Sequence, residues 1–275
     1  MARRRRVGAV PTSIDPITIE RADDDRIADY VGIRDRKESD EFVIVESAAV
    51  VERLLSSKFF VRSFLFSPKG YERMRHLVEG QHAPVYVADA DLMKGIVGYD
   101  LHRGILASAK RRPFSALGDV LARSRRLIVL EGSNDHENIG VVARSARALG
   151  FDAMVLSPNC ADPYYRRCIR VSMGEILHLP IVKCGTWPAP IATMARYGFE
   201  TWALTPDRSA ESLFSMGMPD KVALLAGAEG PGLTAEALAL ASASVRIPMH
   251  RGVDSLNLGH ALAIAMAAVS PPVDD

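Results

Sequence analysis

Three short stretches carry the residues whose types and spacing allow chemistry. Asn138 and Arg144 come after an apolar run. Gly227-Ala228-Glu229-Gly230-Pro231-Gly232 sets one acid among three glycines, and Ser255-Leu256-Asn257 closes a loop that opens onto a helix of small residues. Glycine lets backbone N–H and C=O groups approach a ligand closely, so such a loop can read the edge of an adenine without side chains. Each side chain also has a plainer use. Asn138 stands where an N-cap belongs before a helix over 139–149, and Asn257 where one belongs before the last helix. Arg144 is suited to a surface ion pair, and Glu229 to simple exposure on a turn.

These stretches must be positioned by regular elements, and the pattern supplies them. Residues 127–131 (LIVLE), 152–157, 176–182, 199–205, 222–227 (VALLAG) and 244–248 read as strands, several of them continuous apolar runs of the kind buried on both faces of a sheet. Helical stretches separate them: 139–149 ending at Gly150, Pro163 to about Val171, 188–197 ending at Gly198, 233–242, and the C-terminal segment. The expectation is a six-stranded, mostly parallel sheet with helices on both faces, and the three stretches all leave carboxyl ends of strands, where ligands collect in such sheets. A smaller α/β unit precedes it. Strands at 41–46, 61–67 (ended by Pro68 and Gly70), 83–89 and 104–110 alternate with helices at 23–31, 47–57, 71–80 and about 90–98. The expected divisions are a basic disordered arm over 1–22, a domain over 23–110, a basic linker over 111–125 and a domain over 126–275.

The loops that leave the strands exclude several α/β chemistries. GSNDHENIG after the first strand of the larger unit lacks the G-x-G-x-x-G fingerprint, and the second strand ends in Leu156-Ser157-Pro158 without a ribose-binding acid. There is no G-x-x-x-x-G-K-[ST] and no G-x-S-x-G elbow, which removes P-loop chemistry and weakens a hydrolase.

Composition narrows the setting. The chain has 275 residues, 48% hydrophobic and 24% charged, with a formal net charge of +1. That balance hides a basic run, because residues 103–126 hold seven Lys or Arg against the single acid Asp119. Such clusters suit a phosphate backbone, or simply a solvated linker. Cys160, Cys168 and Cys184 lack zinc-ligand spacing, and neither His136 nor His250 shows ligand spacing, so no metal is expected. Arg3 to Arg6 mimic a signal-peptide start but no apolar segment comes after them. The last helix is too short to span a bilayer and is interrupted by Asn257 and His260. A soluble cytoplasmic protein is expected.

Taken together, Asn138-Ile-Gly-Val-Val-Ala-Arg144, Leu225 to Leu233 and Ile247 to Asn257 resemble, in wording, order and separation, the three motifs of the SpoU/TrmH ribose methyltransferases of the SPOUT superfamily. Arg170-Val-Ser-Met-Gly174 followed by HLP is similar to that family's R-x-S-x-G segment. The likeness covers about residues 126 to 270. Residues 23–110 resemble in pattern the L30e-like RNA-binding domain of many members, and His102-Arg-Gly-Ile-Leu-Ala is in keeping with its last strand. Two departures are visible: Glu46-Ser47 where many members have Glu-Gly, and Gly259-His260 after the Asn in place of more usual small or β-branched residues.

The resemblance implies a trefoil knot in the C-terminal domain, a homodimer whose partner completes each site, and S-adenosylmethionine as cofactor. It implies 2′-O-methylation of an RNA ribose, with 23S ribosomal RNA favoured over transfer RNA because of the extra domain. A transfer RNA methyltransferase and a non-catalytic RNA-binding or ribosome assembly factor are the alternatives. By resemblance Asn138, Arg144, Glu229 and Asn257 are catalytic, with Ser255 a helper. Gly227, Gly232, Ile247, Met249, Leu256, Leu258 and Thr205 contact the cofactor, and Arg170, Arg111 and Arg112 face RNA. A guanidinium stays protonated, so Arg144 is expected to orient the hydroxyl and stabilise developing alkoxide rather than act as a base.

Overall fold

The computed structural model describes residues 15–36, 39–101 and 103–270. The Arg3 to Arg6 run and His102 therefore lie outside the described residues. The chain divides into two compact units, through Arg111 and from Arg112.

In the first unit β1 (Ile17–Thr18), β2 (Phe42–Glu46), α1 (Ala48–Leu55), β3 (Val61–Phe66), α2 (Pro68–Val78), β4 (Val85–Val87), α3 (Ala90–Val97) and β5 (Ile105–Lys110) succeed one another, with a 3-10 helix over Asp25–Tyr30. The sheet runs β1-β4-β3-β5-β2, with β4 parallel to β1 and β3, and β5 antiparallel to β3 and β2. Ile27, Tyr30, Ile44, Leu65, Ile96 and Leu106 form much of its core. The Tyr30 hydroxyl is buried with them, donating to the Ser63 carbonyl at 2.8 Å and accepting from the Ser108 N–H at 3.1 Å, so one side chain ties the 3-10 turn to β3 and β5.

Two expectations change here. The arm expected over 1–22 gives way to strand by Ile17, which pairs with β4 and buries Ile19; two residues are too few to show a period. β3 does end just before Pro68, but α2 begins at Pro68 itself, three residues ahead of the start expected at 71. Ser67 caps it by accepting from the Gly70 N–H at 3.0 Å, and proline at a first helical position gives up a donor with no partner anyway.

In the second unit the order is α4 (Leu117–Arg123), β6 (Arg126–Glu131), α5 (His136–Ala148), β7 (Ala153–Leu156), α6 (Arg166–Val171), β8 (Ile181–Lys183), α7 (Ala189–Arg196), β9 (Glu200–Leu204), β10 (Glu211–Ser212), β11 (Val222–Gly227), α8 (Ala235–Leu240), β12 (Ala243–Arg246) and α9 (Leu258–Val269). Every strand pair is parallel, in the order β10-β12-β9-β11-β6-β7-β8. The α/β class with mostly parallel strands is as expected, with seven strands rather than six because β10 adds a two-residue edge. β11 is inserted between β6 and β9, although both precede it in the chain.

The basic linker expected over 111–125 is also corrected. Its residues Leu117–Arg123 form α4, whose Val120 and Leu121 join the core with Leu127, Val129, Val155 and Leu225. Charged positions mask a helix that still presents an apolar stripe. The strand expected over 176–182 shrinks to Ile181–Lys183. Gly174, at φ 84°, starts a 3-10 turn over Glu175–Leu177, and Pro180 precedes the strand. No described helix is long and apolar enough to cross a membrane.

Candidate active site

Because the strands of the second unit are parallel, their carboxyl ends share one edge, and the loops after β9, β11 and β12 meet there with the start of α9. They line an open cavity of about 580 Å³, within the ~300–1,000 Å³ of small-molecule sites. Thr205, Gly227, Gly232, Ile247, Met249, Leu256 and Leu258 all line it, as do Glu229, Ser255 and Asn257. The loop after β11 turns back on itself: Ala228 and Gly232 form a bridge, and the Gly232 N–H donates to the Ala228 carbonyl at 3.0 Å. Gly230 and Gly232 have φ of 92° and 71°, which side chains rarely adopt. A Cβ on Gly227 would overlap the backbone of Gly232 and Leu233. That glycine is required by the loop's own closure, more than by room for a ligand.

One side chain joins the three motif stretches. Asn257 caps α9, its Oδ1 accepting from the Gly259 N–H at 2.9 Å and the His260 N–H at 3.3 Å. Its Nδ2 donates to Glu229 Oε1 at 2.8 Å and to Asn138 Oδ1 at 2.9 Å. The Leu258 N–H adds a bond to the same Glu229 oxygen at 3.3 Å. Two donors face the amide oxygen and two acceptors face the amide nitrogen, so every contact fixes the same orientation of the group. The cap role and the bridging role read from the sequence are held by one residue at once.

Asn138 is buried in the first turn of α5 and is not its N-cap. Asp135 holds that position, accepting from the Glu137 N–H at 2.7 Å, which moves the helix start three residues earlier than expected and turns Asn138 inward. The structure does not bring Arg144 to the cavity. It is exposed, makes no bond among the described residues, and lies about 120° round α5 from Asn138 at 100° per residue. Arg170 is exposed in the last turn of α6, and Arg112 is exposed after the first unit ends. Arg111 is half-buried, its guanidinium donating to the Ser39 carbonyl at 3.3 Å. His136 lies against Tyr165, with ring centroids 4.5 Å apart and planes tilted by 47°, and His250 is exposed. No group of three His, Cys, Asp or Glu side chains that could hold a metal ion occurs among the described residues.

Residue-type reasoning missed Pro206 and Asp254, which line the cavity from otherwise featureless loop positions. It also missed Glu131, a buried acid at the end of β6. A carboxylate closing an apolar strand was the one visible signal.

The profile of the SpoU rRNA Methylase family matches residues 125–267. An uncharacterised tRNA/rRNA methyltransferase of Mycobacterium bovis is 39% identical over 264 residues, covering 93% of this chain and 92% of the relative. The 23S rRNA (guanosine(2553)-2′-O)-methyltransferase of Bacillus subtilis is 24% identical over 90% of this chain and 96% of its own. The crystal structure of an AdoMet-bound rRNA methyltransferase from Sinorhizobium meliloti superimposes with a TM-score of 0.78, covering 92% of this chain and 96% of that one at 21% identity, which is a likeness of fold.

Proposed function

The chain belongs to the SpoU rRNA Methylase family, and on that premise we propose that it methylates a ribose 2′-hydroxyl of 23S ribosomal RNA in the cytoplasm, with S-adenosylmethionine held in the cavity at the ends of β9, β11 and β12. The bonds from Asn257 to Glu229 and Asn138 carry the reading, because they join two loops and the first turn of α5 into one polar cluster beside the cavity. The residues present suit the cofactor. Gly227 and Gly232 bring their backbone to the cavity with no side chain in the way of an adenine edge, while Ile247, Met249, Leu256 and Leu258 offer apolar walls.

S-adenosylmethionine supplies, when bound, a methyl group on a positively charged sulfur. The chain's part would be to hold it against the loops after β9, β11 and β12 and to bring the ribose oxygen in line with the methyl group. Glu229 and Asn257 fix the two loops against each other, so the methyl donor meets a rigid wall. Arg144, exposed and without a partner among the described residues, serves the site of a second copy as a hydrogen-bond donor to the ribose oxygen, stabilising the negative charge that develops there as the hydroxyl proton passes to solvent water. A homodimer is the consequence of that role. Exposed Val141 on α5 and Ile264 on α9 give it an apolar face.

Insertion of β11 between two earlier strands, and then the return of the chain to pack α9 on α5, support a trefoil knot in the second unit. The mixed sheet of the first unit supports an L30e-like RNA-gripping domain. Arg111 at its end, and separately Arg112 and Arg170 of the second unit, are the phosphate contacts. The names of relatives from Bacillus subtilis and Neisseria meningitidis, both 23S rRNA guanosine methyltransferases, support ribosomal over transfer RNA.

Methyl transfer from labelled S-adenosylmethionine into separated 23S and transfer RNA tests the proposal, with Asn257→Ala as control. Label in 23S RNA that disappears in the variant is expected. Label in transfer RNA alone would overturn the substrate, and label in neither would overturn the activity.

A further inference from the structure

We infer that Glu131, at the carboxyl end of β6, is a positioning residue that sets the shape of the glycine loop and so places Glu229 against Asn257; the inference rests on the reading of the cavity as the methyl-donor site. Glu131 is 4% exposed, and no cation pairs with it among the described residues. A buried carboxylate in that state is costly unless hydrogen-bond donors replace its water. Three donors do so. Trp187 Nε1 donates to Oε1 at 2.6 Å, the Thr234 hydroxyl donates to Oε1 at 2.8 Å, and the Thr234 N–H donates to Oε2 at 3.0 Å. Bonds to a charged acceptor are the strong kind.

The partners define what is being held. Gly227, where the loop starts, is the ladder partner of Glu131 in the β6–β11 register. Thr234, one residue past the loop's end at Leu233, is the N-cap of α8, its hydroxyl oxygen also accepting from the Ala237 N–H at 3.2 Å. Glu131 therefore holds both ends of the loop, one through its backbone neighbour and one through its side chain. Between those ends the Ala228–Gly232 closure leaves Glu229 at the turn, bonded to Asn257. Glu131 does not itself line the cavity, so its effect on the site passes through the loop. An apolar residue would pack the strand end with less desolvation. Only a carboxylate offers acceptors on both oxygens, which the Thr234 N–H and hydroxyl need from different sides. In Glu131→Gln the amide nitrogen must face one of those donors.

The test compares wild type with Glu131→Gln, Thr234→Val and Thr234→Ser. Binding of S-adenosylhomocysteine is read by calorimetry, and amide exchange is tracked along the chain. Losing one hydrogen bond to a charged group should weaken binding about tenfold or more in Glu131→Gln and Thr234→Val, with kcat falling and KM for RNA unchanged. Amides of residues 228–234 should exchange faster while those of β6 and β11 keep their protection. Thr234→Ser, which keeps the hydroxyl, should behave as wild type. Unchanged binding and loop exchange in Glu131→Gln would overturn the inference. So would faster exchange spread through the whole sheet, since that marks a general structural role. Wild-type protein that binds no S-adenosylhomocysteine refutes the cavity assignment itself, and the inference with it, whatever the variants do.

Discussion

Asn257 donates its side-chain amide to Asn138 at 2.9 Å, across a sequence separation of 119 residues. The same residue caps α9 and bonds Glu229, so stability and site geometry share one side chain. Two substitutions separate those uses. Asn257→Ala removes the cap and both donor bonds; it should cost about 1 kcal/mol of stability and on the order of 100-fold in methyl transfer. Asn257→Asp keeps an acceptor for the Gly259 and His260 N–H groups but sets a carboxylate against Glu229. Its melting temperature should stay nearer wild type while methyl transfer falls as far. Thermal melts beside single-turnover transfer check both, and an active Asn257→Asp would deny the amide nitrogen its role.

Gly227→Ala tests loop closure. The new Cβ overlaps the Gly232 and Leu233 backbone, so the loop must open and carry Glu229 away from Asn257. Overpacking of this kind costs about 1–3 kcal/mol. The expected result is a lower melting temperature together with loss of S-adenosylhomocysteine binding. Binding intact by calorimetry would mean that the loop conformation does not shape the cavity.

Ser47, noted above as a departure from the Glu-Gly of many members of the resembled family, has a conformation that gives the difference a physical meaning. Its φ of 81° and ψ of 154° belong to a region favourable to glycine, and its side chain makes no cap bond to α1. Strain in that region costs about 1–3 kcal/mol, more than the backbone freedom that glycine loses on folding, roughly 0.5–1 kcal/mol. Ser47→Gly should therefore raise the melting temperature of the first unit by several degrees. An unchanged or lowered value in a calorimetric scan would place the strain elsewhere.

The parallel core was legible because strands buried on both faces leave unbroken apolar runs: LIVLE, AMVL and VALLAG sit in β6, β7 and β11 where the pattern put them. Helix ends were legible where glycine comes next, as at Gly80, Gly150 and Gly198, each with positive φ. The elements that escaped have no local signal. Ile17–Thr18 and Glu211–Ser212 are too short to show a period, and α4 is hidden under a charge run. The cavity residues were found from motif wording, since spacing alone does not show that positions 138, 229 and 257 meet. Glu131 shows the limit most clearly, because its donors come from residues 187 and 234 and only folding brings them to it.

Burial holds the Cys184 thiol, 8% exposed, well above its ordinary value, from about 9 up to about 11, with the neighbouring Cys160 adding to the shift. Cys160 and Cys168 are buried as well. Native protein at pH 8 should therefore react slowly with a thiol reagent, and denatured protein should release three equivalents. The raised value sets the sign of the pH effect. Stability from the neutral thiol is complete below about pH 9, and is lost as pH rises toward 11, because the unfolded chain ionises first. Denaturant midpoints that fall between pH 9 and 11 in wild type, and fall less in Cys184→Ala, are expected. Equal slopes in the two proteins would remove Cys184 as the cause.

Arg144 provides the sharpest test of a shared site. It is exposed, has no partner among the described residues and stands away from the cavity of its own chain. Arg144→Ala should thus cost less than about 0.5 kcal/mol of stability, as surface changes do, yet abolish methyl transfer if its guanidinium serves the partner's cavity. Asn257→Ala, by contrast, disables the cavity of the chain that carries it. Coexpression of the two variants then distinguishes the arrangements. If each cavity takes its arginine from the other copy, a mixed dimer has one chain with an intact Asn257 facing a partner with an intact Arg144. Random pairing should restore about a quarter of wild-type activity, since half of the dimers are mixed and each holds one complete site. If arginine and cavity work within one chain, every chain in the mixture lacks one or the other, and activity stays at the level of the single variants.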